Sequence, residues 1–360
     1  MTAPVRSVVV MAGGTGGHVF PALAVAEALR ARGIRIHWLG TRAGIEAELV
    51  PARHFDISYL DVSGVRGQGV VRLLLAPFKI VRAVLAAMRV LRAVEADCVI
   101  GLGGYVTGPG GVAARLLGKP LFIHEQNAVA GFTNRMLSRI ATRVLEAFPG
   151  AFPVSSKVSC VGNPVRADIA ALPIPELRFA GREGPLRVLV MGGSQGAVAL
   201  NELVPSALAI LARHIPLDIR HQAGKKNLDK AAARYRDVNV AADVLPFISD
   251  MAGIYGWADL VICRAGALTV SELAAAGVAS VLIPYPFAVD DHQTANARYL
   301  SEAGAALLFR QQELTAEMLA DALRPLMQRP VLLDMARKAR AKAQPESTDT
   351  VVMACLRSGK

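Results

Sequence analysis

The chain has 360 residues, 53% of them hydrophobic and 19% charged, and a formal net charge of +11. That length suits two domains, and the apolar share excludes a disordered chain. The longest uncharged runs, 98–114 and 273–289, are broken by Gly or Pro and do not read as membrane-spanning helices. Cys98, Cys160, Cys263 and Cys355 stand apart, with no C-x-x-C pair or Cys/His cluster, which argues against a disulfide framework or a zinc site. No cleavable signal pattern opens the chain, so an intracellular protein is expected. The positive charge calls for an acidic partner: nucleic acid, anionic lipid or a phosphorylated small molecule.

In chain order, the apolar run 8–11 predicts a strand, followed by Gly13-Gly14-Thr15-Gly16-Gly17 and a helix over 19–32. A strand that ends in glycines and opens into a helix is built to hold negative charge. The glycines permit positive φ and close backbone approach, and the helix mouth offers unbonded N–H groups. His18 follows at once. Beside bound phosphate it either takes a proton in catalysis or only hydrogen-bonds backbone or phosphate. The next strand, 35–39, ends in Leu39-Gly40-Thr41-Arg42 with no acid, so the dinucleotide fingerprint is incomplete, although an arginine there suits a 2′-phosphate. No Gly-Lys-Ser/Thr follows the glycines, so this is no Walker A loop.

From 62 to 94 there is no Asp or Glu, while Arg66, Arg72, Lys79, Arg82, Arg89 and Arg92 stand among bulky apolar residues that include Leu74, Leu75 and Phe78. This is either a membrane-surface segment or a core helix with a solvated basic face. With Phe78 its single aromatic, it lacks the base-stacking residues of a nucleic-acid binder. A strand over 98–102 ends in Gly101-Leu102-Gly103-Gly104, followed by Tyr105, and 112–117 is helical. A strand over 120–124 ends in His124-Glu125-Gln126-Asn127, four adjacent polar groups that point to function; 144–147 is another strand. Arg166, after Gly162-Asn163-Pro164, is placed to stabilise either phosphate or a hinge. The stretch 171–185, with Pro173, Pro175, Gly181, Gly184 and Pro185, reads as a linker.

The second half repeats the scheme. A strand over 188–191 leads into Gly192-Gly193-Ser194-Gln195-Gly196 and a helix over 200–213. Strands follow at 217–221, 260–263 and 280–283, and helices at 268–276, 314–328 and 331–342. A last helix, 349–356, returns to the first domain. The repeat implies an α/β chain of two Rossmann-like halves facing across a cleft, with ligands at the carboxyl ends of the strands. The helix that opens at Ala267 suits a diphosphate. Glu272 either accepts hydrogen bonds from a ribose diol or complements the helix dipole. Asp290-Asp291-His292-Gln293 either binds sugar hydroxyls or is ordinary loop polarity. No Asp-x-Asp occurs, so the metal-bridged diphosphate site that it marks is not expected, and helix dipoles would meet leaving-group charge.

Residues 11–18 with Pro21, 101–109, 124–127, 162–166, 192–196, 264–272 and 291–296 resemble, in order and across nearly the whole chain, the MurG family of peptidoglycan N-acetylglucosaminyltransferases. The resemblance implies a GT-B glycosyltransferase fold. It has an acceptor- and membrane-binding domain (1–166), a linker (167–186), a UDP-GlcNAc-binding domain (187–342) and a terminal helix (343–360) returning to the first. It implies inverting transfer of GlcNAc from UDP-GlcNAc to the C4 hydroxyl of the MurNAc unit of lipid I, undecaprenyl-pyrophosphoryl-MurNAc-pentapeptide, giving lipid II, with no cofactor and no metal. Donor contacts would fall at Thr15, Gly16, Gly17, Asn127, Arg166, Ser194, Ile248 (toward uracil), Ala267, Leu268, Thr269, Val270, Ser271, Glu272 (toward ribose) and Gln293 (toward GlcNAc). His292 stands where some relatives carry a second glutamine. Acceptor contacts would fall at Gly14, Gly103, Gly104 and Tyr105. His18 would be the general base, with Glu125 a second catalytic group near the acceptor sugar. Leu74, Leu75, Phe78, Lys79 and Arg82 would form a peripheral patch against the anionic cytoplasmic face of the bacterial membrane. Other cell-wall synthesis and division proteins would be partners, and nucleic acid would not. Three competing readings are another GT-B enzyme such as a UDP-sugar 2-epimerase or a diacylglycerol glycosyltransferase, a tandem-Rossmann oxidoreductase, and a non-catalytic lipid-binding protein.

Overall fold

In this computed structural model, which describes residues 4–62, 70–193 and 196–357 and only the backbone of 70–76, the first apolar run forms β1 (Ser7–Met11), buried at every position. A strand that is apolar at successive positions needs cover on both faces, and a parallel α/β succession provides it. The succession is α1 (Gly16–Arg30), β2 (Arg35–Gly40), α2 (Glu46–Leu49), β3 (Asp56–Tyr59), α3 (Val70–Ala93), β4 (Cys98–Gly101), α4 (Thr107–Leu116), β5 (Leu121–Glu125), α5 (Phe132–Leu137), β6 (Arg143–Glu146) and β7 (Val158–Cys160). All these strands pair in parallel, in the order β3-β2-β1-β4-β5-β6-β7. Side-chain alternation divides the core: Val8 and Val10 pack with Leu23 and Val25 of α1, whereas Val9 and Met11 pack with Leu91 of α3 and Ala113 of α4. Strand order reverses between β1 and β4, where ligands of open α/β sheets bind.

A second unit, Ala167–Gln344, repeats the plan, and the residues from Pro345 onward belong with those up to Arg166. It runs α6 (Ala167–Ala170), α7 (Pro175–Phe179), β8 (Leu186–Met191), α8 (Val198–Ala212), β9 (Leu217–Gln222), α9 (Leu228–Asp237), β10 (Asp243–Leu245), α10 (Met251–Trp257), β11 (Leu260–Cys263), α11 (Ala267–Ala276), β12 (Ala279–Leu282), α12 (His292–Ser301), β13 (Ala306–Leu308), α13 (Ala316–Leu323) and α14 (Arg329–Ala341). The sheet order is β10-β9-β8-β11-β12-β13, with the reversal between β8 and β11. Residues 167–186, expected as a linker, are folded onto this unit. Phe179 is buried in its core, and Arg178 donates to the carbonyls of Tyr255 (3.2 Å) and Ala276 (2.7 Å). The chain closes with α15 (Ser347–Leu356), which packs on α1 and buries Val351, Val352 and Cys355 in the first unit's core. Cys98 and Cys355, remote in sequence, meet there, the Cys98 thiol 3.8 Å from the Cys355 carbonyl oxygen. All four cysteines are free thiols.

Several elements depart from the sequence pattern for physical reasons. The helix expected over 112–117 begins at Thr107 and runs through Gly108, Gly110 and Gly111. A Cβ on Gly110 would overlap Met11 Sδ, and one on Gly111 would lie 2.8 Å from Leu137, so close packing on the sheet overrides weak helix propensity. The single helix expected over 314–328 is divided: Thr315 caps α13, its hydroxyl accepting from the Met318 N–H at 3.2 Å, and Pro325 lies in a separate short turn of 3-10 helix. The basic segment is helical from Val70, and no helix among the described residues is long and apolar enough to cross a membrane.

His221 on β9 is fully buried, its Nε2–H donating to Asn201 Oδ1 and its Nδ1 accepting from the Tyr235 hydroxyl, each at 3.0 Å. Burial pushes its pKa from 6.5 down to about 4. Between those values the unfolded chain binds a proton that the folded imidazole does not. The second unit should therefore lose about 3 kcal/mol as pH falls through that window and be unaffected by this group above it. Urea titrations read by hydrogen exchange of β9 peptides should show that slope in the native chain and its disappearance in His221→Gln.

Candidate active site

In the first unit, the loops that leave β1, β2, β4 and β5 converge at the switch point. The β1 loop is held from behind by Glu46, which is fully buried. Its Oε2 accepts the Gly14 N–H at 2.9 Å, and its Oε1 accepts the Thr41 N–H and hydroxyl at 2.8 and 2.7 Å. A Cβ on Gly13 or Gly44 would overlap this carboxylate, and Gly14 has φ 93°, so glycine is required by space in one case and by backbone conformation in the other. The loop after β4 lies on the first: a Cβ on Gly104 would come within 2.5 Å of the Gly13 carbonyl. Thr15 precedes α1 in extended conformation, and the first-turn amides of Gly16 and Gly17 leave the helix end, as at any helix start.

The half-buried His18 ring rests on Gly103, where φ is 106° and a Cβ would overlap the imidazole. Its Nδ1 lies 3.1 Å from Gln126 Oε1. Tyr105 is exposed beside these glycines. Glu125, expected as a catalytic group, is 2% exposed, and both its oxygens are occupied. Oε1 accepts from the Asn127 N–H (3.1 Å) and Nδ2–H (3.2 Å), and Oε2 from the Gly131 N–H (3.0 Å) and Asn134 Nδ2–H (2.9 Å). The Arg166 guanidinium lies 5.9 Å from the ring of Phe20, in the first turns of α1, which brings it beside the same glycine loop.

In the second unit, α11 opens after Gly266, whose carbonyl accepts the Val270 N–H at 2.9 Å. The amides of Ala267, Leu268 and Thr269 are thus the mouth of the helix. Val270, expected among the donor contacts, has its amide engaged in this bond and its side chain fully buried. Ser271, expected beside it, directs its hydroxyl back to the Ala267 carbonyl at 3.0 Å. Glu272 is buried, and the Tyr255 hydroxyl donates to its Oε2 at 3.1 Å. Gln293 is fixed by the Tyr285 N–H on its Oε1 at 2.9 Å, so its NH2 is the end left to donate. Asp290 and Asp291 just before it have φ of 53° and 48°, a left-handed pair that costs about 1–3 kcal/mol each where surrounding contacts enforce it. His292 Nδ1–H donates to the Val289 carbonyl at 2.6 Å, which makes it a brace of this loop. Ile248 is buried beside the exposed Phe247, after β10. Arg264 donates to the carbonyls of Ile283 (3.0 Å) and Pro284 (3.1 Å), and burial lowers its pKa. Ser194 lies outside the described residues.

On α3, Phe78 is 75% exposed beside exposed Lys79, Ile80, Val81, Arg82 and Leu85, while Val84, Ala87 and Leu91 are buried. The side chains of Leu74 and Leu75 lie outside the described residues. Among the described residues no three His, Cys, Asp or Glu side chains gather as a metal site. Glu46 and Tyr255 are site residues that the sequence pattern did not single out, since their importance arises from partners distant in sequence.

Residues 8–146 match the glycosyltransferase family 28 N-terminal domain and 187–351 the family 28 C-terminal domain. Fold and matches together define a family 28 glycosyltransferase of GT-B architecture. The chain is 54% identical to a UDP-N-acetylglucosamine–N-acetylmuramyl-(pentapeptide) pyrophosphoryl-undecaprenol N-acetylglucosamine transferase of Marinobacter nauticus, over 98% of both chains. It is 56% identical to the transferase of the same name from Aeromonas hydrophila, over 98% of this chain and 97% of that one. The crystal structure of Acinetobacter baumannii MurG superposes with a TM-score of 0.87 at 50% identity, covering 98% and 99% of the two chains. The chain belongs to the MurG family. A Neisseria meningitidis UDP-GlcNAc 2-epimerase shares the fold alone, with a TM-score of 0.68 at 12% identity.

Replacing Glu46 with Ala removes the acceptor of three donors at once and leaves two backbone N–H groups unpaired. The expected result is a loss of about 3 kcal/mol from the first unit and faster hydrogen exchange across residues 12–17. Unchanged exchange there would show that the loop holds its shape without the carboxylate.

Proposed function

We infer that this chain transfers GlcNAc from UDP-GlcNAc to the C4 hydroxyl of the MurNAc unit of lipid I, with inversion at the anomeric carbon, giving lipid II for peptidoglycan synthesis. The observation that carries the reading is the 54% identity, over 98% of the chain, to the Marinobacter nauticus transferase. The geometry of each unit supports the roles that follow.

The mouth of α11, at Ala267, Leu268 and Thr269, receives the diphosphate of the donor. Positive helix-end charge and unbonded amides suit it, and its orientation requires no metal ion. Ser194 meets the same diphosphate. Glu272, oriented by Tyr255, accepts the ribose hydroxyls, Ile248 meets uracil through its backbone, and the Gln293 NH2 donates to a GlcNAc hydroxyl. In the first unit Thr15, Gly16, Gly17, Asn127 and Arg166 complete the donor contacts. Gly14, Gly103, Gly104 and Tyr105 meet the acceptor. The Gly14 amide is already bonded to Glu46, so its contribution is close approach rather than a hydrogen bond.

In the reaction, O4 of MurNAc attacks C1 of GlcNAc on the face opposite UDP. The C1–O bond to UDP breaks and its electron pair goes to the diphosphate. The proton of the hydroxyl passes to His18 as the new bond forms. Charge growing on the diphosphate is met by the α11 amides and Arg166. Glu125 shapes the loop after β5 that carries Asn127, and its occupied oxygens suit that role better than proton transfer. The exposed apolar and basic side chains of α3 rest on an anionic membrane surface as a peripheral contact. That surface is the cytoplasmic face, where a nucleotide-sugar donor is available.

Steady-state kinetics with a short-chain lipid I analogue test these roles. Glu272→Ala should raise KM for UDP-GlcNAc about 10- to 100-fold, the loss of a charged hydrogen bond. An unchanged donor KM would remove the ribose assignment. His18→Ala should lower kcat about 10²- to 10⁴-fold at similar donor KM. Near-normal turnover would remove it as the base.

A further inference from the structure

A histidine that accepts a proton must present a nitrogen without hydrogen, and which nitrogen that is depends on what the ring touches. The one hydrogen bond of the His18 ring among the described residues runs from Nδ1 to Gln126 Oε1, at 3.1 Å. A glutamine amide can offer either an acceptor or a donor at such a place. The tautomer of His18 therefore depends on which way the Gln126 amide faces.

The surroundings of Gln126 allow one orientation. Its Nε2 lies 2.7 Å from the Leu102 carbonyl oxygen and 3.2 Å from His124 Nδ1. A carbonyl only accepts, so the NH2 must face it. The second amide hydrogen turns to His124, whose Nδ1 at 3.2 Å is nearer than its carbonyl oxygen at 3.5 Å and accepts only if it carries a lone pair. That lone pair is present, because His124 Nε2 lies 2.9 Å from the Gly162 carbonyl and carries the ring's hydrogen. Burial also lowers the His124 pKa, which keeps the ring neutral. Turning the amide over would set its oxygen against the Leu102 carbonyl, at a place where Gln126 is 2% exposed and His124 fully buried. Two acceptors facing each other without water are strongly unfavourable. The backbone is held as well: Asn163 Nδ2 donates to the Gln126 carbonyl at 3.0 Å, and the Ser347 hydroxyl donates to the Asn163 carbonyl at 2.7 Å.

We propose that Gln126 is a positioning residue which, through the chain Gly162 carbonyl–His124–Gln126, fixes the hydrogen of His18 on Nδ1 and leaves Nε2 as the basic nitrogen. The inference rests on His18 as general base and adds what orients it. When Nε2 takes the acceptor's proton, the Nδ1–H bond to the amide oxygen strengthens and the imidazolium is held in place. A carboxylate partner would fix the same tautomer, but it would add negative charge beside glycine loops that are to receive a diphosphate. A neutral amide avoids that repulsion.

The test is the tautomer itself. In the full-length protein with ¹⁵N-labelled histidine, at about pH 8 and so above the usual imidazole range, long-range ¹H–¹⁵N correlations distinguish the two forms. The His18 signals are assigned by their loss in His18→Gln. The expected result is hydrogen on Nδ1; hydrogen on Nε2 overturns the proposal without any variant of Gln126. Gln126→Met, similar in length but without the acceptor, should give mixed tautomers and about 10²-fold lower kcat at unchanged KM for UDP-GlcNAc. Native tautomer and kcat in Gln126→Met would refute the positioning role. An Nδ1–H tautomer together with an active His18→Ala would instead refute the general-base reading and leave the tautomer assignment standing.

Discussion

A carboxylate taken out of water must be surrounded by hydrogen-bond donors, and this chain uses that demand to give shape to loops that have few side chains of their own. Glu46, fully buried, takes the amides of Gly14 and Thr41. Glu125 takes those of Asn127 and Gly131, and Glu146, also buried, those of Gly150 and Phe152. In the second unit the buried Asp259 accepts the Arg187 N–H at 3.0 Å and is paired with Arg182. A loop of glycines would otherwise populate many backbone conformations. An acceptor fixed behind it selects one, and the front of the loop is then available to a ligand. The His18 ring depends on this arrangement, because it lies on Gly103 and the Gly103–Gly104 turn lies on the loop that Glu46 holds.

The two units share a sheet order and differ in what they place at the reversal. One presents an imidazole whose surroundings are neutral amides and a second, neutral imidazole. The other presents a ten-residue helix mouth and, a turn and a half further in, the Glu272 carboxylate with its tyrosine partner. Chemistry is thus set by loops on a repeated scaffold rather than by the scaffold itself. On the roles proposed above, the first unit supplies a proton acceptor and the second an anion site, the two functions that an inverting sugar transfer without a covalent intermediate requires.

The innermost strands β1, β4, β8 and β11 were legible in the sequence because each carries a nearly continuous apolar, buried run. The edge strands were not: β3, β7, β10 and β13 are three or four residues long, and most of their positions are partly exposed. They lack the apolar run that marks a covered strand. The glycine loops, His18, Glu272 and Gln293 stood out through local motif. Glu46 did not, because an acid opening the short helix α2 looks like an ordinary complement to a helix dipole. The first carboxylate after β2, Glu46, lies a few residues beyond the strand, and its oxygens are occupied by the Gly14 and Thr41 amides and the Thr41 hydroxyl. Along α11, helical rotation turns the Val270 side chain into the core and the Ser271 hydroxyl back to its own helix, which the sequence does not display. The orientation of the Gln126 amide depends on Leu102 and His124 together, a juxtaposition that only the folded sheet creates.

The central claim is direct displacement at C1 by the C4 hydroxyl of MurNAc. It is tested most directly by incubating UDP-GlcNAc with a short-chain lipid I analogue and, in parallel, with its 4-deoxy counterpart, and analysing the product by NMR. The account predicts a β-1,4-linked GlcNAc–MurNAc disaccharide from the first and no transfer to the second. An α linkage, transfer to the 4-deoxy compound, or release of free GlcNAc with no disaccharide formed would contradict it.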